Sequence, residues 1–113
     1  MGGPIPDRID NVTVTCKAQV YFDGRVVVHQ LLTADGDRIE LWVIQPGEYR
    51  FGNDLAQRFR AIAGRFRIRR GEDASWTCCG PGDCFHVPAA SSYHVQVKDG
   101  LVELIASSDE RRD

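Results

Sequence analysis

Tyr49, Phe51 and Asn53 alternate along one short segment, and side chains two residues apart on a strand share a face. Gln57, Phe59 and Ala61 repeat that spacing in the next segment, while Tyr93 and His94 take opposite faces of a later one. Aromatic rings interspersed with amide and phenol groups suit a flat organic molecule. The rings take its faces and the polar groups hold its edges. A metal would require nitrogen, sulfur or carboxylate donors converging on one point. Phe51 cannot be a ligand, and neutral amides and a phenol are poor ones, so this set predicts no metal site. His29, His86 and His94 show no ligand spacing with one another.

Those residues must be positioned by strands. From Val12 onward, short β-branched and aromatic runs are separated by Gly, Asp and Pro turns. The pattern predicts strands over Thr13 to Tyr21, Arg25 to Leu32, Arg38 to Ile44, Glu48 to Phe51 and Gln57 to Ala63. It continues with Arg65 to Arg69, Trp76 to Cys79, Cys84 to Val87, Tyr93 to Val97 and Leu101 to Ser107. Gly64 reads as the turn of a hairpin, and no segment sustains a helical period. So many strands in so short a chain favour an all-β closed barrel or two-sheet roll, since closure removes exposed edges. One domain is expected over residues 10–107, with a flexible tail at 1–9 and a charged tail at 108–113.

The chain has 113 residues, 42% hydrophobic and 27% charged, with a formal net charge of -2. These are ordinary values for a globular domain and give no bias toward nucleic acid or an anionic membrane. No apolar run approaches the roughly 20 residues that span a bilayer. The stretch from Met1 to Asp7 has no apolar signal core, so a cytoplasmic protein is expected. Cys16, Cys78, Cys79 and Cys84 lack the paired spacers of a zinc knuckle and are read as reduced, mostly buried small residues. Arg58 and Arg60 lie opposite in parity to Gln57, and Arg65, Arg67 and Arg69 opposite to Phe66 and Ile68. Their default is a solvated exterior face.

Tyr21-Phe22-Asp23-Gly24-Arg25-Val26 and Pro46-Gly47-Glu48-Tyr49-Arg50-Phe51-Gly52 resemble the small single-cupin pyrimidine/purine nucleoside phosphorylases. Ala63-Gly64, Trp76, Gly82, Phe85, Val87-Pro88-Ala89 and Ser91-Ser92-Tyr93 continue the match in order. The resemblance spans about residues 10 to 107 and implies a cupin-type barrel or jelly roll of the RmlC-like kind. It also implies a homodimer that cleaves purine and pyrimidine nucleosides with phosphate to free base and ribose 1-phosphate. Where a metal-binding cupin places three His and one Glu, this chain has Phe51, Asn53, Tyr93 and Gln57. The family usually has Glu at the position of Gln57 and commonly Met at that of Phe59. The arginines Arg65, Arg67 and Arg69 and the clustered cysteines are not family features.

The implied reaction needs phosphate as co-substrate and no other cofactor. Tyr49, Phe51 and Tyr93 are the candidates for base or ribose contacts, with Tyr49 or Tyr93 assisting departure of the base. Asn53 and Gln57 are candidates for ribose hydroxyls or phosphate oxygens, and Arg25 is the first candidate for phosphate. Gln57 keeps hydrogen bonds but cannot carry a charge or shuttle a proton. That substitution leaves open a catalytically inactive cupin that binds a nucleoside or sugar. A third reading is an interaction module built on the arginine face, and a metal-dependent cupin comes last.

Overall fold

A computed structural model describes residues 7–71 and 75–108. Residues 1–6 and 109–113, most of the two expected tails, lie outside the described residues. Eleven strands make up the described structure. They are β1 (Thr13–Val14), β2 (Gln19–Tyr21), β3 (Val26–Leu32), β4 (Arg38–Ile44), β5 (Gly47–Asn53) and β6 (Gln57–Ala63). The remainder are β7 (Phe66–Arg70), β8 (Thr77–Cys79), β9 (Cys84–Val87), β10 (Ser91–Val97) and β11 (Val102–Ser108). A 3-10 turn at Phe22–Gly24 joins β2 to β3.

The strands form a seven-stranded sheet, ordered β1-β3-β4-β11-β6-β9 with β2 also on β3, and a four-stranded sheet, ordered β5-β10-β7-β8. All pairings are antiparallel. The architecture is all-β as expected and takes the two-sheet form of the expectation: the sheets do not close into one barrel but enclose one core between them. Strand alternation builds that core. Val26 and Val28, Phe59 and Ala61, and Val102, Leu104 and Ala106 are buried from one sheet; Phe66 and Ile68, and Tyr93, Val95 and Val97, from the other. Each large apolar side chain removed from water contributes about 1.5–3 kcal/mol, which makes the two inner faces the main source of cohesion.

Two expectations change. The first predicted strand is two short strands, because Val14 pairs with Leu31 but Gln19 pairs with Val28. The chain takes five steps against three on β3, so the segment around Cys16 bulges out. The expected hairpin about Gly64 is also absent: β6 pairs with β11 and β9, whereas β7 pairs with β10 and β8. Gly64, at φ +88, carries the chain from one sheet to the other. A tight turn signal is the same for a hairpin and for such a crossing; only the pairing partners distinguish them.

The cysteines are all free, but Cys16, Cys78 and Cys84 are exposed and only Cys79 is buried, so they are not the mostly buried set expected. Burial pushes the Cys79 thiol up from 9.0 to about 11, helped by the charge of Asp83 and opposed by Arg70. Burial and then the nearby Glu40 push the Tyr93 phenol well above its ordinary range. Both groups are therefore neutral in the folded protein at pH values where the unfolded chain begins to ionise. Folded values above unfolded ones mean that the stabilisation is complete below pH 9 and is lost as pH rises. Stability should fall from pH 9, by about 2–3 kcal/mol for Cys79 alone by pH 11. Thermal melts at stepped alkaline pH would show it, and Cys79→Ala should flatten the first part of the decline.

Candidate functional site

A cavity of about 450 Å³ lies between the two sheets at one end of the roll. That size falls within the usual range for small-molecule sites. Its aromatic wall is a chain of packed rings. Phe51 stacks on Tyr93 with centroids 5.3 Å apart and planes 25° apart. Trp42 meets Phe51 at 5.3 Å, and Phe22 meets Phe51 edge-on at 5.5 Å. The polar lining is supplied by Gln19, Glu40, Arg50, Asn53, Asp54, Gln57 and Ser108.

Four of the six predicted site residues come together here: Phe51, Asn53, Gln57 and Tyr93 all line the cavity. Two do not. Tyr49 is only 3% exposed, and its hydroxyl is held by the carbonyls of Gln45 at 2.7 Å and Pro46 at 3.0 Å. Its ring folds back over Gly47, where an added Cβ would stand 2.6 Å from the phenol oxygen. Tyr49 therefore closes the Pro46-Gly47 turn and is not a cavity residue. Arg25, the residue after the 3-10 turn, is exposed and is not among the lining residues.

The Asn53 amide is in the cavity wall but already engaged. Its Nδ2 donates to the carbonyls of Leu55 at 2.8 Å and Pro88 at 2.7 Å, while Ser91 Oγ, 3.4 Å from its Oδ1, makes its shorter bond to the Pro88 carbonyl at 2.7 Å. This amide fastens the end of β5 to the loop before β10. Gln57 is freer. Its Oε1 accepts from the Tyr93 hydroxyl at 3.5 Å, the long limit of a hydrogen bond, so a ligand can compete for both groups. Burial and the nearby Glu40 keep Tyr93 protonated across the neutral range. It can donate a hydrogen bond but is a poor proton donor.

Sequence reasoning missed Glu40, Trp42, Arg50 and the pair Tyr21 and Phe22. Glu40 and Trp42 share the inner face of β4 with Ile44, a parity present in the sequence but obscured by apolar residues on both faces of that strand. Phe22 reaches the cavity through strain. Phe22 and Asp23 hold φ of 54 and 55, and Gly24 follows at 92. A bulky residue in the left-handed region is an outlier, and such strain persists only where the surroundings impose it. Here it places a ring that is 42% exposed against Tyr49 and Phe51 at the cavity edge.

The arginine face is on the outside, as parity predicts. Arg65 is exposed, and Arg67 and Arg69 flank the Trp76 ring at 5.0 and 5.1 Å. Arg67 also donates to Gln96 Oε1 from Nε at 2.8 Å and from Nη2. Arg58 and Arg60 line a separate outer depression with Cys84, His86, Ile105 and Ser107.

The two-sheet roll thus holds a cavity walled by aromatic rings and edged by a few amide, hydroxyl and carboxylate groups, the geometry of a candidate small-molecule site. A family profile described as pyrimidine/purine nucleoside phosphorylase matches residues 16–103. The chain belongs to that family. A protein named pyrimidine/purine nucleoside phosphorylase from Aromatoleum aromaticum is 38% identical over 93 residues, covering 82% of this chain and 87% of the relative. One of the same name from Burkholderia ambifaria is 38% identical over 94 residues, with 83% and 89% covered. Among solved structures, a protein of unknown function from Acinetobacter sp. ADP1 superposes with a TM-score of 0.86 at 25% identity, covering 90% of this chain and 98% of that one.

Proposed function

We propose that this chain is a nucleoside phosphorylase that splits purine and pyrimidine nucleosides with inorganic phosphate, without a metal. The observation that carries the reading is the cavity between the sheets, whose ring wall of Phe22, Trp42, Phe51 and Tyr93 suits a nucleobase. Its variety of contacts favours stacking over a fixed edge pattern, which fits breadth toward the base. The chain's own donor set favours metal independence: among the described residues no three His, Cys, Asp or Glu side chains gather to hold an ion.

In the reaction, a phosphate oxygen forms a bond to the ribose anomeric carbon while the glycosidic C–N bond breaks. The bonding electron pair leaves with the base, which takes its proton from water or from the phosphate. Phosphate is already a competent nucleophile near neutral pH, so alignment and charge stabilisation are what the protein must supply. Phe51 and Tyr93 wall the base, the Tyr93 hydroxyl leaves Gln57 Oε1 to donate to it as negative charge develops, and the Gln57 amide so released binds the sugar. Arg50 is the cationic residue of the cavity lining and takes the place proposed from sequence for Arg25. Arg50→Ala should raise the KM for phosphate about tenfold or more while the KM for nucleoside moves little, the loss expected for one charged hydrogen-bond partner. Initial rates at varied phosphate would check it.

The same reading carries a cytoplasmic homodimer. An outer apolar depression lined by Val14, Leu41, Val43, Ile62 and Ile105 offers surface that a second subunit would cover. The decisive assay is release of free base from inosine, uridine or adenosine, with and without phosphate and with a chelator. Phosphate-dependent, chelator-insensitive release is expected. Binding of nucleoside without release would instead establish the inactive binding cupin that Gln57 leaves open.

A further inference from the structure

The cavity contains a carboxylate held in a fixed orientation. Glu40 Oε1 accepts from Trp42 Nε1 at 2.9 Å, and Glu40 Oε2 accepts from Gln30 Nε2 at 3.1 Å. Gln30 Nε2 also donates to Gln19 Oε1 at 2.9 Å, so three adjacent strands hold the carboxylate in place. A carboxylate has about four lone-pair sites across its two oxygens, and each Glu40 oxygen here has one donor. One acceptor site per oxygen is left on a group that lines the cavity. Of the remaining polar lining, both Asn53 amide hydrogens are taken by Leu55 and Pro88, and Asp54 is exposed.

The geometry points to Glu40 as the residue that binds the ribose of the substrate, its two oxygens accepting the vicinal 2′- and 3′-hydroxyls. This inference rests on the nucleoside reading of the cavity. Two adjacent acceptors on one planar group match two adjacent hydroxyl donors, whereas phosphate would be repelled and a base edge offers donors and acceptors mixed. The ring of Trp42, tied to Glu40, packs against Phe51, so the sugar subsite and the base wall are built from one contact chain. A negative charge beside the sugar also stabilises the positive character that the anomeric carbon acquires as the base departs.

The test compares uridine with 2′-deoxyuridine and 3′-deoxyuridine, by kcat/KM with phosphate and by calorimetric Kd without it, for the wild-type chain, Glu40→Gln and Glu40→Asp. Hydrogen bonds to a charged group are worth enough that the wild type should favour uridine over either deoxy compound by about tenfold or more. Glu40→Gln should bring that preference to within about threefold, and Glu40→Asp, which withdraws the charge without removing it, to a value between. Glu40 also holds Trp42 and Gln30, so a general loss of activity is not the readout; only the ribose-to-deoxyribose ratio is. If Glu40→Gln does not fold, the wild-type ratio and Glu40→Asp still decide. A wild type that does not distinguish the sugars, or a ratio unchanged in the variants, overturns the assignment while leaving phosphorolysis intact. The predicted ratio in Kd with no base release leaves the assignment standing and removes the phosphorylase reading. Absence of both binding and cleavage removes both.

Discussion

Tyr93→Phe should lower kcat/KM for phosphorolysis by about 10²-fold, the loss typical of removing one oriented donor aimed at developing charge. The ring is retained, so its stacking on Phe51 at 5.3 Å and its contact with Phe59 at 5.9 Å survive. The hydroxyl's partner in the free protein is Gln57 Oε1 at 3.5 Å, a long bond whose loss should cost no more than about 1 kcal/mol of stability. Activity and stability are thereby separated, which a core lesion would not do. Burial and Glu40 keep the phenol neutral, so its contribution is to donate a hydrogen bond, and the variant should lose rate evenly across the neutral range with no shifted pH limb. It should also remove the part of the alkaline stability loss that begins at pH 10, because a phenylalanine has nothing to ionise. Steady-state rates between pH 6 and 8, with melts up to pH 11, measure both. A variant within threefold of the wild type would show that the hydroxyl does not serve the departing base.

The parts of this site legible in the sequence are those fixed by local alternation. Phe51 and Asn53 on β5 share a face by the two-residue period, the resemblance to the cupin segments picks out that face together with Gln57 on β6 and Tyr93 on β10, and all four line one cavity. Glu40 obeys the same period but sits in Ile39-Glu40-Leu41-Trp42-Val43-Ile44, where both faces look apolar and parity selects neither. The outer face of that strand, with Leu41 and Val43, lines an apolar surface depression instead of being polar. Tyr49 has the right parity but does not line the cavity, because its hydroxyl is claimed by two carbonyls of the turn just before it. Arg50 has the parity opposite to Phe51, yet it lines the cavity. Alternation locates a Cβ; where a long side chain ends depends on what surrounds it.

Gly64→Ala should destabilise the fold by about 2–5 kcal/mol, combining the cost of a left-handed residue with that of overpacking. An added Cβ would stand 2.2 Å from the Leu101 carbonyl oxygen, 2.9 Å from Val102 Cα and 3.0 Å from the Leu101 carbonyl carbon. All three are backbone atoms, so no side-chain rotation can relieve the contact. The residue's φ of +88 adds strain for any side chain, and the two penalties share no remedy. Relief requires moving β6 away from β11, and the pairing there is already irregular, with a register shift between Glu103 and Leu104. Because β6 also carries Phe59 and Gln57, that movement reaches the cavity. The variant should lose nucleoside affinity along with stability, although Gly64 is not among the residues lining the cavity. Chemical denaturation against the wild type gives the first quantity and calorimetric titration with uridine the second. A loss of stability with unchanged affinity would mean that the sheet crossing yields locally and the position of β6 does not govern the site.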